Sequence, residues 1–207
     1  MSDIDLIPAA DPATIAEWLA GRIGRALAAG EGPVAIAVPG GSTPFPIMEK
    51  LALADLDWRR LVIWPGDDRA VPADHEASNE GRIRAIFAPV GAEVARLTVM
   101  EQVPVFALAW LGMGTDGHVA SLFPSTDPRT DTAERVVRLT PDPLPPEAPF
   151  DRISLTLPAL LTSGEIVFTL GGNAEKRALF EAAMRGENDL PVARLLAAAD
   201  QPVTCFA

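Results

Sequence analysis

The 207-residue sequence holds two histidines and one cysteine, so few of its side chains can move a proton near neutral pH. His118 closes the run Gly112-Met113-Gly114-Thr115-Asp116-Gly117-His118. An imidazole, with an ordinary pKa of about 6.5, suits a general base, and Asp116 is near enough along the chain to fix or tune it. Three further clusters carry related chemistry. Gly40-Gly41-Ser42-Thr43-Pro44 sets paired glycines before a helix start, where backbone N–H groups and partial positive charge suit a phosphate. The same residues also suit a plain tight turn, with Thr43 capping the helix and Pro44 at its first position. In Asp67-Asp68-Arg69 the guanidinium can clamp a phosphate or steady an oxyanion, and a carboxylate such as Asp67 can orient a sugar hydroxyl or a base. Taken alone, that triplet also fits a solvated surface ion pair. Lys176, behind Gly171-Gly172-Asn173, can reach a phosphate already held by amides, or can be an ordinary solvated helix lysine. His75, within Pro72-Ala73-Asp74-His75-Glu76, reads as a solvated loop residue.

Some readings are excluded by context. The G-x-G-x-x-G of residues 112–117 lies in mid-chain and contains an acid, so it does not read as a dinucleotide loop. Residues 40–44 lack the spacing and the Lys-Ser/Thr ending of a Walker A loop. Asp67, Asp116 and His118 are a facial-triad donor set by type, but they come from separate loops without ligand-pair spacing, and no metal is expected.

The elements that must position these residues alternate. From Asp11 to Ala29, Ile15, Trp18, Leu19, Ile23, Ala26 and Leu27 recur at helical steps, with Asp11 as cap, Pro12 at the first position and Gly30 at the exit. Val34–Val38, Leu61–Trp64, Phe106–Leu111 and Ile166–Leu170 are short apolar runs without polar alternation, as in strands covered on both faces. Each is followed by glycine and one of the polar clusters. Helices are predicted from Pro44, over 78–87, 174–184 and 192–199, and after His118, which would sit at a helix start. Further strands are predicted at 136–139, 153–157 and 203–206. This is an α/β pattern: an open, mainly parallel sheet with helices on both faces, in a single domain over 1–207. In such sheets ligands bind at the carboxyl ends of the strands, so the four clusters should converge there.

Composition narrows the function class. Lys and Arg number 17 against 28 Asp and Glu, a net charge of −11, which leaves no basic surplus for nucleic acid or anionic lipid. Hydrophobic residues make up 48% and charged residues 22%, enough for a sizeable core. With one cysteine, Cys205, and neither a leader-like start nor a long apolar run, the sequence reads as cytoplasmic and without membrane contact.

The motifs in this order resemble the 6-phosphogluconolactonase family, which shares its fold with glucosamine-6-phosphate deaminases. The likeness runs from Val34 to about Leu196 and is strongest over Leu111–Pro124, with support from Gly40–Pro44, Asp67–Arg69, Ser78-Asn79, Arg152–Leu160, Gly172 and Lys176. The resemblance implies hydrolysis of a phosphosugar lactone to 6-phosphogluconate without metal or organic cofactor. It assigns His118, Asp116 and Arg69 to catalysis, and Gly40, Gly41, Ser42, Thr43, Asp67, Arg152 and Lys176 to substrate binding. Asp68, Ala107 and Ser125 stand where the family often has Glu, Asp and Gly, and the segment between Leu97 and Phe106 is shorter than usual. Two rivals share the fold. An amino-sugar phosphate deaminase would carry an acid shortly after the histidine, where this chain has Ser121-Leu122-Phe123-Pro124. A non-catalytic sugar-phosphate sensor would have little need of Asp116 and His118.

Overall fold

The computed structural model describes residues 3–100, 102–146 and 148–207. Its elements are β1 (Ile4–Ile7), α1 (Pro12–Ala28), β2 (Val34–Val38), α2 (Pro44–Leu51), β3 (Leu61–Pro65), β4 (Asp67–Arg69), α3 (Asn79–Phe87), β5 (Glu93–Val94), β6 (Leu108–Leu111), β7 (Val136–Leu139), β8 (Arg152–Leu155), α4 (Leu157–Leu161), β9 (Ile166–Thr169), α5 (Ala174–Met184), α6 (Pro191–Ala198) and β10 (Val203–Phe206). The main sheet has the order β1-β10-β9-β6-β2-β3-β5, and every pairing in it is parallel.

The apolar runs lie between two hydrophobic layers, as their lack of polar alternation predicts. Ile36, Val38, Ile63, Leu108 and Trp110 pack with α1, α2 and α3 on one face. Ala37, Trp64, Ala109, Leu111 and Phe168 pack with α4, α5 and α6 on the other. Local signals fix the helix ends. The Asp11 carboxylate accepts from Ala13 N at 2.9 Å and Thr14 N at 3.1 Å, with Pro12 in the first turn. Ser78 Oγ accepts from Gly81 N at 3.1 Å at the start of α3.

Three expectations are corrected. The strands at 136–139 and 152–155 do not join the main sheet. They form a separate antiparallel sheet with β4, in the order β4-β8-β7 and with Arg69 opposite Arg152. The chain before Leu108 forms no strand: Phe106 makes an isolated bridge to Ser163, Ala107 N donates to Ala35 O at 2.8 Å, and the described residues of the short 95–107 segment between edge strand β5 and central β6 hold no helix. No α-helix starts at His118. Residues 113–122 fold instead as a tight double turn with bridges Met113–Val119 and Val119–Leu122, in which Ala120 holds φ of 51°.

Asp68 ties β4 to α3. Buried at 6% exposure, its carboxylate accepts from Asn79 N at 2.6 Å, Glu80 N at 3.0 Å and Ser78 Oγ at 2.9 Å. A negative charge on the first free amides of a helix satisfies them and meets the positive end of its dipole. Asp68→Ala leaves those buried donors without an acceptor, and should cost about 2–3 kcal/mol. The expected midpoint loss in thermal unfolding is roughly 5–10 °C.

Candidate functional site

The carboxyl ends of β2, β6 and β9 open into a cavity of about 420 Å³, whose wall includes Gly40, Gly41, Ser42, Thr43, Asp67, Gly112, Gly114, His118, Ala120, Thr169 and Lys176. Parallel pairing puts these strand ends side by side. Ala37 stands level with both Ala109 and Trp64, and Trp110 with Val167. At the rim, Trp110 Nε1 donates to Thr169 Oγ1 at 3.0 Å and locks β6 to β9.

His118 Nδ1 lies 2.6 Å from Asp116 Oδ1, and the same oxygen accepts the His118 N–H at 3.2 Å. Partial burial works against the charge of Asp116, but its hydrogen bonds and attraction to His118 prevail and hold its carboxyl below the usual range. A carboxylate has no proton to give, so the imidazole proton sits on Nδ1 and Nε2 keeps a free lone pair. The Phe123 ring packs on the imidazole with centroids 4.7 Å apart. The turn leaves no spare room. A Cβ on Gly114 would stand 2.2 Å from His118 Nδ1 and 2.5 Å from Asp116 Oδ1.

Around the other wall, Gly41 turns through a φ of 98° and delivers residues 42–43 to the start of α2 at Pro44. Thr43 does not cap that helix through its side chain. Its Oγ1 and Cγ2 lie about where a Cβ on Gly171 would press, at 3.1 and 3.0 Å, so the 40–43 loop and the loop after β9 touch. Lys176 N is capped by Asn173 Oδ1 at 3.0 Å, which seats the lysine in the first turn of α5 facing the cavity. Among the described residues its ammonium has no carboxylate within ion-pair distance.

Asp67 completes the wall. Ser121 Oγ donates to Asp67 Oδ2, and Ser121 N donates to Ser154 Oγ at 3.2 Å, which staples the His118 turn to the antiparallel sheet. Burial pushes the Asp67 carboxyl upward, opposed by the Ser121 hydrogen bond and by the charge of Arg69.

Arg69 and Arg152 are not among the wall residues named above, although the charge of Arg69 reaches Asp67 and Arg152 interacts electrostatically with both. Arg69 Nη1 donates to Ala77 O at 2.7 Å and Asn79 Oδ1 at 3.5 Å. Arg152 is 3% exposed and donates to Phe150 O and, at 2.9 Å, to Ala148 O. Both guanidiniums hold loops around the site. His75 is exposed as predicted, yet not idle: its Nδ1 accepts from Ala77 N at 3.0 Å, and its ring meets Phe150 edge-on.

Asn79 was not singled out as a site residue by the sequence, although its place beside the cavity loop is structurally demanding. It donates to Asp67 O at 3.0 Å and lies so close over Gly40 that a Cβ there would fall 2.1 Å from Asn79 Nδ2. Nor did Ser121 and Ser154 stand out, since nothing local distinguishes a serine that will meet a distant carboxylate. Among the described residues, no three of His, Cys, Asp and Glu gather as a metal-ligand set, and no helix is long and apolar enough to cross a membrane.

Two outcomes follow from this geometry. Gly114→Ala should displace the imidazole from Asp116 and lower turnover about 10²-fold, the usual consequence of a 1 Å misplacement, while circular dichroism stays native. For Asp67 the folded carboxyl is raised, so its ionisation disfavours folding. That penalty is absent below the ordinary carboxylate pKa of about 3.9 and grows as pH rises through and above it. Asp67→Asn should therefore unfold at a midpoint that climbs relative to the parent between about pH 4 and 7 and runs parallel below pH 4.

Comparison with known proteins places the chain in a family and agrees with its fold. The family model for glucosamine-6-phosphate isomerases/6-phosphogluconolactonase matches residues 10–98 and 87–204. A 6-phosphogluconolactonase of Caulobacter vibrioides is 35% identical over 205 residues, covering 87% of this chain and 85% of that protein. One from Helicobacter pylori strain J99 is 34% identical over 184 residues, covering 79% and 78%. The crystal structure of a 6-phosphogluconolactonase from Shewanella baltica superposes with a TM-score of 0.80 at 26% identity, over 100% of this chain and 97% of that one. The chain thus belongs to the family of glucosamine-6-phosphate isomerases and 6-phosphogluconolactonases.

Proposed function

We propose that the protein hydrolyses 6-phospho-D-glucono-1,5-lactone to 6-phosphogluconate, the second step of the oxidative pentose phosphate route, as one α/β domain working in the cytoplasm. The observation that carries this reading is one cavity shared by a carboxylate-oriented imidazole and a lysine with no ion-pair partner among the described residues, beside two glycine-rich strand ends. The family relationship and the names of the relatives support it.

The residues perform the chemistry as follows. Lys176 and the amides of the Gly40–Thr43 loop hold the distal phosphate, and the binding energy of that remote group orients the lactone carbonyl. His118 Nε2 takes a proton from water as the oxygen attacks C1, which forms the C–O bond and a tetrahedral oxyanion. Collapse of that oxyanion breaks the bond to the ring oxygen, which receives the proton back from the imidazolium. Asp116 stabilises the imidazolium between the two steps. Asp67, with Oδ2 fixed by Ser121, accepts from a sugar hydroxyl on the cavity side. Arg69 and Arg152 serve binding indirectly, by setting the 75–79 and 148–150 loops. No step draws on a cofactor. The place where a deaminase would carry its acid is filled by Ser121 and Leu122, buried at 1% and 3% exposure.

Fresh lactone, generated enzymatically and followed by acid release above the spontaneous rate, tests the reading, alongside ammonia release from glucosamine 6-phosphate. The expected result is acid release and no ammonia; the reverse would reassign the enzyme. His118→Ala should lose about 10²–10⁴-fold in turnover, with 6-phosphogluconate binding retained by calorimetry. Undiminished hydrolysis by that variant would remove His118 from the mechanism.

A further inference from the structure

His118 sits on a turn rather than at a helix start, so something outside the turn must hold it. The stretch from Gly117 to Asp127 is gripped at both ends by one element, the start of α6. At the near end, Val192 N donates to Gly117 O at 3.1 Å. Gly117, at φ of 80°, lies so close to Leu190 that a Cβ would stand 2.8 Å from Leu190 Cδ1. At the far end, Arg194 Nη1 donates to Asp127 Oδ1 at 2.5 Å and Pro128 O at 3.0 Å. The same guanidinium is anchored by Asp189, through Nε at 3.0 Å and Nη2 at 2.7 Å. Asp127 itself is a non-glycine residue held at φ of 45°, a conformation that needs outside support.

Between the two grips lie His118 and Phe123, in ring contact with each other. The turn from Phe123 to Asp127 is tight, with Thr126 N donating to Phe123 O at 3.0 Å and Asp127 N to Pro124 O at 3.2 Å. Displacement of Asp127 is therefore passed to Phe123 and on to the imidazole.

We propose that Arg194 is a positioning residue for the reaction: by tying Asp127 and Pro128 to Asp189, it fixes the turn that aims His118 into the cavity. Arg194 touches no substrate, because it lines a different cavity, between α5 and α6. A surface ion pair of ordinary worth would contribute little to turnover. A bidentate guanidinium that also holds a backbone carbonyl sets geometry instead, and Lys, a point charge, cannot span both partners.

The inference rests on His118 acting as the base, and its test separates the two. Arg194→Met, Arg194→Lys and Asp127→Gly, the last removing the carboxylate while still allowing positive φ, are assayed for lactone hydrolysis beside His118→Ala. In parallel, ¹⁵N shifts of the histidine rings are recorded. The protein has two histidines. His118 holds its proton on Nδ1 against Asp116, whereas His75, whose Nδ1 accepts Ala77 N–H, holds it on Nε2 and serves as an internal reference. The expected result is a fall in kcat of about ten- to a hundredfold for Arg194→Met and Asp127→Gly, with KM within about twofold. His118 should lose its Nδ1–H bias while His75 stays unchanged, and Arg194→Lys should recover only part of kcat. Parent-like kcat and His118 shifts in Arg194→Met overturn the inference, as does a lowered unfolding midpoint without change in either. If His118→Ala keeps full activity, the catalytic reading fails, and the ring shifts alone then decide whether Arg194 positions the imidazole.

Discussion

Parallel hydrogen bonding between β2 and its neighbours β3 and β6, continued from β6 to β9, is the constraint on which the site depends. It places the ends of strands far apart in sequence at one edge of the sheet, and each strand there gives way to glycine. A turn whose residue has φ near 98°, as at Gly41, lets the chain reverse in one or two residues without a side chain filling the space above the sheet. The cavity is that unfilled space. Its polar contents differ because each loop was free to differ, while the strands beneath were held to apolar residues by burial on both faces.

Consecutive acids in β4 show how strand geometry divides labour. Side chains alternate across a strand, so Asp67 and Asp68 face opposite ways. Asp67 turns to the cavity and to Ser121. Asp68 turns to the amides that open α3, where three hydrogen bonds from that helix start satisfy it. The pair therefore does two jobs with one composition. A buried carboxylate ringed by donors is a fixed strut, whereas one held at a single oxygen stays available to ligand.

Most of the frame was legible in the sequence, for a stated reason. The runs Val34–Val38, Leu61–Trp64 and Ile166–Leu170 are continuous and apolar, and the helices from Asp11 and Ser78 announce their caps. Periodicity, however, says which face a residue occupies and not which sheet it joins. Val136–Leu139 and Arg152–Leu155 read as strands without revealing their antiparallel partnership with β4. The two-residue β5 is too short to carry any period. At the site, His118, Asp116, Lys176 and the Gly40–Thr43 loop were readable because residue type implies chemistry. The hydrogen bonds of Arg69 were not legible, because the Ala77 carbonyl that accepts from it is presented only by the folded 70–78 loop. Nothing local singles out Arg194, since Asp127, which it meets, lies far away in the sequence.

On the proposed reading a chain of net charge −11 must bind an anion, and the contents of the cavity bear on how it does so. Ionic strength near physiological confines each surface charge to within about 8–10 Å, so the global surplus of acid is felt only weakly inside a cleft. Locally, the Asp116 carboxylate is occupied by the ring and backbone N–H groups of His118, and burial works against the charge of Asp67. What remains is the Lys176 ammonium and the amides of the Gly40–Thr43 loop, whose partial positive charge no change of pH removes; Pro44 and Pro46 add no N–H at the start of α2, and Lys176 N is already held by Asn173. On the proposed reading Lys176 and backbone amides serve the phosphate end, and Asp116 with His118 the end where protons must move. On that reading the separation lets one small cavity hold a phosphate while His118 Nε2 stays available as the proposed base.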